Sequence, residues 1–183
     1  MKQHTHVGGE LEQYLLQAIR DVPDFPKPGI VFKDITPILS DPIAFRQVTK
    51  FFLERYQRKT IDSIVAIESR GFLFAAPLAH QLGIPLHLAR KKGKLPYSTI
   101  EESYSLEYGT AAIEMHTDAV KDKHRVLIID DLLATGGTAS ATAKLVERLG
   151  GTVTECAFVI ELAFLPGRKQ LADYDVCSVV RYE

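Results

Sequence analysis

The sequence predicts an α/β fold, an open, mostly parallel twisted sheet flanked by helices. Three observations carry that expectation. Residues 64–67 and 126–129 are apolar without a break, the pattern of strands buried on both faces. Each run is followed by a stretch with helical spacing, so strands alternate with helices. Gly83 and the pair Gly150-Gly151 stand where those helices should stop.

The elements follow in order. Leu11, Tyr14, Leu15, Ala18 and Ile19 recur at helical spacing, so residues 10–22 are expected as an amphipathic helix. Residues 23–29 hold three prolines and a glycine and can be neither helix nor central strand. A short apolar piece, Ile30, Val31 and Phe32, comes next. Asp41 before Pro42 is a helix start, a capping side chain ahead of a residue suited to the first turn. The strand at 63–67 breaks into Glu68-Ser69-Arg70-Gly71, and a helix over 72–82 follows. Residues 86–89 read as a strand leading into the basic run Arg90-Lys91-Lys92-Gly93-Lys94. Residues 96–108 are polar and poorly periodic, a long loop or an excursion of short strands, and residues 112–116 alternate like a half-exposed strand. The strand at 126–129 is expected to end at Asp130 and Asp131, ahead of a glycine-containing loop and a helix reaching Leu149. Residues 153–162 and 176–182 supply the last strands. The whole chain, 1–183, reads as one domain, with residues 1–37 as an N-terminal addition to the sheet.

Composition narrows the function. Hydrophobic residues make up 46% and charged residues 25%, an ordinary globular balance. A net charge of −1 lacks the basic excess that phosphate neutralisation asks of a nucleic-acid binder, so no nucleic-acid partner is expected. The apolar runs fall far short of the roughly 20 residues a membrane span needs, and no membrane partner is expected. Cys156 and Cys177 lie in strand-like runs without metal or redox spacing, as buried thiols of a cytoplasmic protein would. His80, His87, His116 and His124 are scattered without metal-ligand spacing, so no metal held by protein side chains is expected.

In such a sheet, ligands bind outside the carboxyl ends of the strands. At one of those ends, Asp130 and Asp131 are followed by Ala134, Thr135, Gly136, Gly137 and Thr138, where a helix opens. Small residues let backbone approach a ligand, free N–H groups at a helix start attract phosphate, and the threonine hydroxyls can bond the same oxygens. Neither a P-loop nor a Gly-x-Gly-x-x-Gly turn is present there. Ionised carboxylates only accept hydrogen bonds, so a vicinal diol suits the two aspartates. Phosphate and diol together describe a ribose 5-phosphate. For two aspartates alone, capping of a neighbouring helix is the plainer reading. Arg70, breaking out of a buried strand, can clamp diphosphate oxygens with its planar fork of donors.

The string 126–138 resembles the signature of the type I phosphoribosyltransferases, which bind phosphoribosyl pyrophosphate, and in particular their adenine-using branch. Similarity extends to residues 25–36 as a base-covering hood, 68–74 as a pyrophosphate loop, and 90–96 with 103–109 as a mobile catalytic loop. The resemblance implies ribose contacts from Asp130 and Asp131, and 5-phosphate contacts from Ala134, Thr135, Gly136, Gly137 and Thr138. It places Ser69, Arg70, Arg90, Lys91 and Lys94 on pyrophosphate, with a non-proline cis bond between Ser69 and Arg70. Adenine would meet Val31, Phe32 and Lys33, the last standing where adenine-using members often carry arginine. Glu107 and Tyr108 would close over the reaction as the catalytic pair, Glu107 handling the proton of the purine imidazole. The implied cofactor is Mg²⁺, held by diphosphate and sugar oxygens, and the implied assembly is a homodimer.

The expected reaction is therefore transfer of 5-phosphoribosyl from phosphoribosyl pyrophosphate to N9 of adenine, giving AMP and pyrophosphate. Three alternatives stay open. They are the same chemistry on xanthine, hypoxanthine or guanine, a non-catalytic sensor of phosphoribosyl pyrophosphate, and a binder of stress nucleotides. Residues 165–174 suggest no function.

Overall fold

The computed structural model describes residues 4–6, 9–105 and 109–183. The chain opens with a short strand, β1 (His4–His6), and helix α1 (Glu10–Ala18). The helix stops at Ala18 rather than at 22, because β2 (Arg20–Pro23) pairs antiparallel with β3 (Val31–Asp34), Val22 opposite Phe32. The proline-rich segment makes the turn between them. It is closed by Gly29, at φ 85, whose N–H donates to Asp24 Oδ1 at 2.8 Å. Helices α2 (Thr36–Ser40) and α3 (Pro42–Tyr56) follow. Asp41 caps α3 by accepting from the Ile43 N–H at 2.8 Å, with Pro42 in the first turn.

Next come β4 (Ser63–Ile67), α4 (Gly71–Leu82) and β5 (Leu86–Lys91), a parallel β-α-β unit in which Gly83, at φ 65, ends the helix. The ambiguous residues 96–108 contain a strand, β6 (Thr99–Ser105), paired antiparallel with β7 (Thr110–His116). The chain finishes with β8 (Arg125–Leu133), α5 (Gly137–Arg148), β9 (Thr152–Leu162), α6 (Gly167–Gln170) and β10 (Val176–Tyr182).

Among the described residues the main sheet has the order β1-β10-β9-β8-β4-β5-β7-β6. Neighbours from β1 to β5 pair in parallel, while β7 and β6 run antiparallel. This is the expected α/β class. From β4 the chain steps to β5 on one side and later returns to β8, β9 and β10 on the other. The order therefore reverses between β4 and β8, where an open α/β sheet forms its ligand crevice.

Alternation explains the continuous apolar runs. Ile64 and Ala66 join the core beneath α1 to α4, whereas Val65 and Ile67 join the core beneath α5. One strand is longer than its apolar run. β8 continues through Asp130 to Leu133 because β9 continues beside it, pairing Asp130 with Phe158 and Leu132 with Ile160. The two aspartates thus lie inside a strand rather than after it. At the far edge, β1 covers the start of β10, pairing His4 with Val176 and His6 with Ser178. Further along β10, the Arg181 N–H donates to the Glu12 carboxylate on α1 at 3.1 Å.

Candidate active site

A cleft of about 250 Å³ opens at the point where the strand order reverses. Ser69, Arg70 and Lys91 line it from the β4–β5 side, Asp130, Asp131 and Thr138 from the β8 side. Arg70 Nε donates to Asp131 Oδ2 at 2.5 Å, which ties the two sides together. The non-proline cis bond lies between Glu68 and Ser69, one residue before the position implied by resemblance. Gly71 begins α4 against β8. A Cβ there would come 2.7 Å from the Ile129 carbonyl and 3.1 Å from Asp130 Oδ1, so the helix start can approach the acid pair only as glycine.

The two aspartates are not equivalent. Asp131 is buried and paired with Arg70. Asp130 Oδ1 accepts the Asp131 N–H at 2.8 Å. Burial first, and then the neighbouring Asp131 charge, push the Asp130 carboxyl well above the ordinary carboxylate range.

Beyond β8, Gly136 takes up φ 83 and α5 starts without a side-chain cap or an acidic residue in its first turn. The free N–H groups of that turn remain available to an anion. Both glycines also answer to protein neighbours. A Cβ on Gly137 would meet Tyr104 Cδ2 at 3.1 Å, and one on Gly136 would meet the Gly167 carbonyl at 2.7 Å. The two threonines face different spaces. Thr138 lines the first cleft, whereas Thr135 lines a second of about 300 Å³ with Ser103, Ser140 and Lys144, and Tyr104 borders both.

The basic run is organised by carboxylates that sequence reasoning passed over. Glu68 Oε2 accepts from Arg90 Nε at 3.1 Å and from the Lys91 N–H at 3.0 Å, and Arg90 also donates to the Lys94 carbonyl at 2.9 Å. Lys91 reaches the cleft, while the backbone N–H groups of Lys94 and Leu95 donate to buried Glu114 at 2.9 Å. Burial alone would raise the Glu114 carboxyl, but these N–H groups and that of Gly93 hold it below its usual range. The signal for Glu114 was present, a lone acid in an apolar alternation opposite a basic run, but its partners are visible only in the fold.

On the β2–β3 hairpin, Phe32 meets Phe25 edge-on at 5.2 Å, and its ring centre lies 5.5 Å from the Arg70 guanidinium. Val31 is exposed. Lys33 sends its ammonium to Asp21 Oδ1 at 2.6 Å and over the Tyr182 ring at 4.1 Å. Glu107 and Tyr108 lie outside the described residues.

Fold and cleft together define an α/β protein of the kind that binds its ligand where the strand order reverses. The family model described as phosphoribosyl transferase domain matches residues 34–181. An adenine phosphoribosyltransferase of Anaeromyxobacter sp. (strain Fw109-5) is 57% identical over 164 residues, 90% of this chain and 93% of the relative. The crystal structure of adenine phosphoribosyltransferase from Thermoanaerobacter pseudethanolicus superposes with a TM-score of 0.91 at 50% identity, covering 94% of this chain and 100% of the other. That from Saccharomyces cerevisiae, complexed with an imino-altritol bisphosphate and adenine, gives 0.84 at 40% identity, over 91% and 96%. The chain belongs to the phosphoribosyltransferase family, among the adenine phosphoribosyltransferases.

Proposed function

We propose that this chain transfers the 5-phosphoribosyl group of phosphoribosyl pyrophosphate to N9 of adenine, giving AMP and pyrophosphate in purine salvage. The observation that carries the reading is the juxtaposition, within one cleft, of an acid pair, the uncapped start of α5 and the Arg70 fork. The yeast relative's bound adenine and sugar-like bisphosphate support it. In this reading Asp130 and Asp131 accept from the ribose hydroxyls. The hydroxyls replace Arg70 as partner of Asp131 and free the guanidinium for the diphosphate. A proton retained on Asp130 leaves the pair with less negative charge beside that diphosphate.

The loop of Ala134, Thr135, Gly136, Gly137 and Thr138 receives the 5-phosphate through backbone N–H groups and hydroxyls. Ser69, Arg70 and Lys91 face the diphosphate, with Arg90 and Lys94 completing the basic surround. Val31 and Phe32 hold the base, and Lys33 braces their hairpin through Asp21 and Tyr182. Glu107 and Tyr108 close over the reacting atoms, excluding water from the oxocarbenium-like sugar, and Glu107 takes up the imidazole proton.

Mg²⁺ fits this donor set as a cation carried by the substrate. It favours hard oxygen ligands, the kind that the carboxylates of Asp130 and Asp131 offer at the cleft. Diphosphate and ribose oxygens would hold it beside Asp130 and Asp131, and its charge would stabilise the departing diphosphate. The reading extends to a homodimer, in which a partner would cover the exposed Leu73 and Leu88, and to the cytoplasm, which suits the buried free thiols of Cys156 and Cys177. No described helix is long and apolar enough to cross a membrane.

Incubation with phosphoribosyl pyrophosphate, Mg²⁺ and equimolar adenine, hypoxanthine, guanine and xanthine tests the assignment by chromatography of the products. AMP alone is the expected result. IMP, GMP or XMP in comparable amounts would refute the choice of base, and no nucleotide at all would refute the transferase reading.

A further inference from the structure

Residues 165–174, silent in the sequence, form the back support of the loop that opens α5. The contact is backbone against backbone. A Cβ on Gly167 would lie 2.5 Å from the Ala134 carbonyl and 2.8 Å from the Leu133 side chain, and one on Gly136 would lie 2.7 Å from the Gly167 carbonyl. Two glycines from distant parts of the chain therefore interlock, and the height of one backbone sets the height of the other.

What holds the supporting segment is a buried polar cluster. Arg168 donates from Nε to Glu161 Oε1 and from Nη2 to Oε2, both at 2.5 Å, a planar fork on a carboxylate that is 1% exposed. The Ser178 hydroxyl donates to the same carboxylate at 2.6 Å. Glu161 belongs to β9 and Ser178 to β10, so the fork references α6 to the parallel sheet. Leu171, fully buried, packs in the same core as Leu133 of β8. None of these side chains lines the cleft that holds the acid pair.

We propose that Arg168 is a positioning residue for the 5-phosphate. Its fork on Glu161 holds the Gly167 backbone against Ala134 and Gly136, and so fixes the loop whose N–H groups receive the phosphate. The inference rests on the reading of 134–138 as the 5-phosphate site. It says nothing about diphosphate or base, which lie on the far side of the cleft.

That asymmetry provides the test. Calorimetric titration of ribose 5-phosphate and of inorganic pyrophosphate is carried out on the wild type and on Arg168→Met, Arg168→Lys, Gly167→Ala, Thr138→Ala and Val48→Ala. Arg168→Met and Gly167→Ala should weaken ribose 5-phosphate about tenfold through misaligned hydrogen bonds and leave pyrophosphate unchanged. Arg168→Lys, which keeps the charge but not the fork, should recover part of the loss. In steady state the KM for phosphoribosyl pyrophosphate should rise while that for adenine stays put. Val48→Ala, a cavity in the opposite core, should lower Tm without moving either affinity. Normal ribose 5-phosphate binding in Arg168→Met and Gly167→Ala would overturn the inference, as would an equal loss in Val48→Ala. Should Arg168→Met fail to fold, Arg168→Lys decides: weaker ribose 5-phosphate binding with unchanged pyrophosphate binding supports the inference, and wild-type ribose 5-phosphate affinity overturns it. Wild-type binding of ribose 5-phosphate that is indifferent to Thr138→Ala would instead overturn the phosphate-loop reading beneath it.

Discussion

Acidic side chains buried in the body of the molecule and those in the cleft are treated differently. Glu155 is 2% exposed and takes a two-point contact from Arg55, at 2.9 and 2.5 Å, together with Lys59 at 3.1 Å. Glu161 has the Arg168 fork and a serine hydroxyl, and Glu114 has a row of backbone N–H groups. Burial raises each of these carboxyls, the donors more than reverse it, and all three end below their ordinary range. Asp130 has one backbone N–H and a like-charged neighbour, and it ends well above that range. Satisfied acids hold the fold together. The cleft keeps one acid to which no basic side chain among the described residues is bonded, the kind of perturbed group that marks functional sites.

The contrast can be broken at either end. The largest effect should follow loss of a structural partner. Arg55→Met strips the fork from Glu155 and should cost about 3 kcal/mol, removing one partner of a buried pair. For a chain of this size that lowers Tm by about 6–12 °C, with kcat of the folded enzyme unchanged. An undisturbed Tm in a thermal scan would mean that Glu155 is no different from a surface acid.

Asp130→Asn should do the opposite to stability. It relieves a carboxyl that prefers to be neutral, so Tm should rise by about 2–4 °C at pH 7. Meanwhile kcat/KM should fall about 2- to 10-fold, the worth of one hydrogen bond to a neutral group. A lower Tm would place Asp130 with the structural acids.

The smallest effect, and the sharpest, is in the pH dependence. Asp130 binds its proton more tightly folded than unfolded, so its penalty grows as pH rises above the unfolded value of about 3.9. The Tm advantage of Asp130→Asn should therefore shrink from pH 7 towards pH 5. Glu114, Glu155 and Glu161 bind protons more weakly folded than unfolded. Their stabilisation is present above about pH 4.3 and is lost as pH falls through their folded values. Circular dichroism across this range should show both trends, and a constant Tm difference would remove Asp130 from the comparison.

Much of this was legible where the signal is local. Unbroken apolar runs marked β4 and β8, Gly83 marked the end of α4, and Asp41 with Pro42 marked the start of α3. The acid pair and the glycine pair stood together because eight residues of chain, 130–137, carry them all. What escaped depends on partners far along the chain. Helical periodicity predicts helix through Arg20, Asp21 and Val22, whose pairing with β3 has no local signature, and β9 decides how far β8 runs past its apolar stretch. Thr135 and Thr138, neighbours in sequence, line different clefts. Glu114 and Gly167 gain partners only when the fold brings a basic turn and the loop before α5 against them.

The two outer edges of the sheet are protected by different means. β6, at one edge, carries Glu101 and Glu102 in its middle, charges that discourage a second strand from adding there. β10 is apolar through Val176, Val179 and Val180, a segment well suited to recruit another copy if left bare. Three residues of β1 occupy half of it, and the Glu12 carboxylate takes the Arg181 N–H beyond them. His4–His6 of β1, three strands away from the acid pair in β8, and Glu12 of α1 thus occupy hydrogen-bonding positions of an apolar strand that would otherwise be open to another chain.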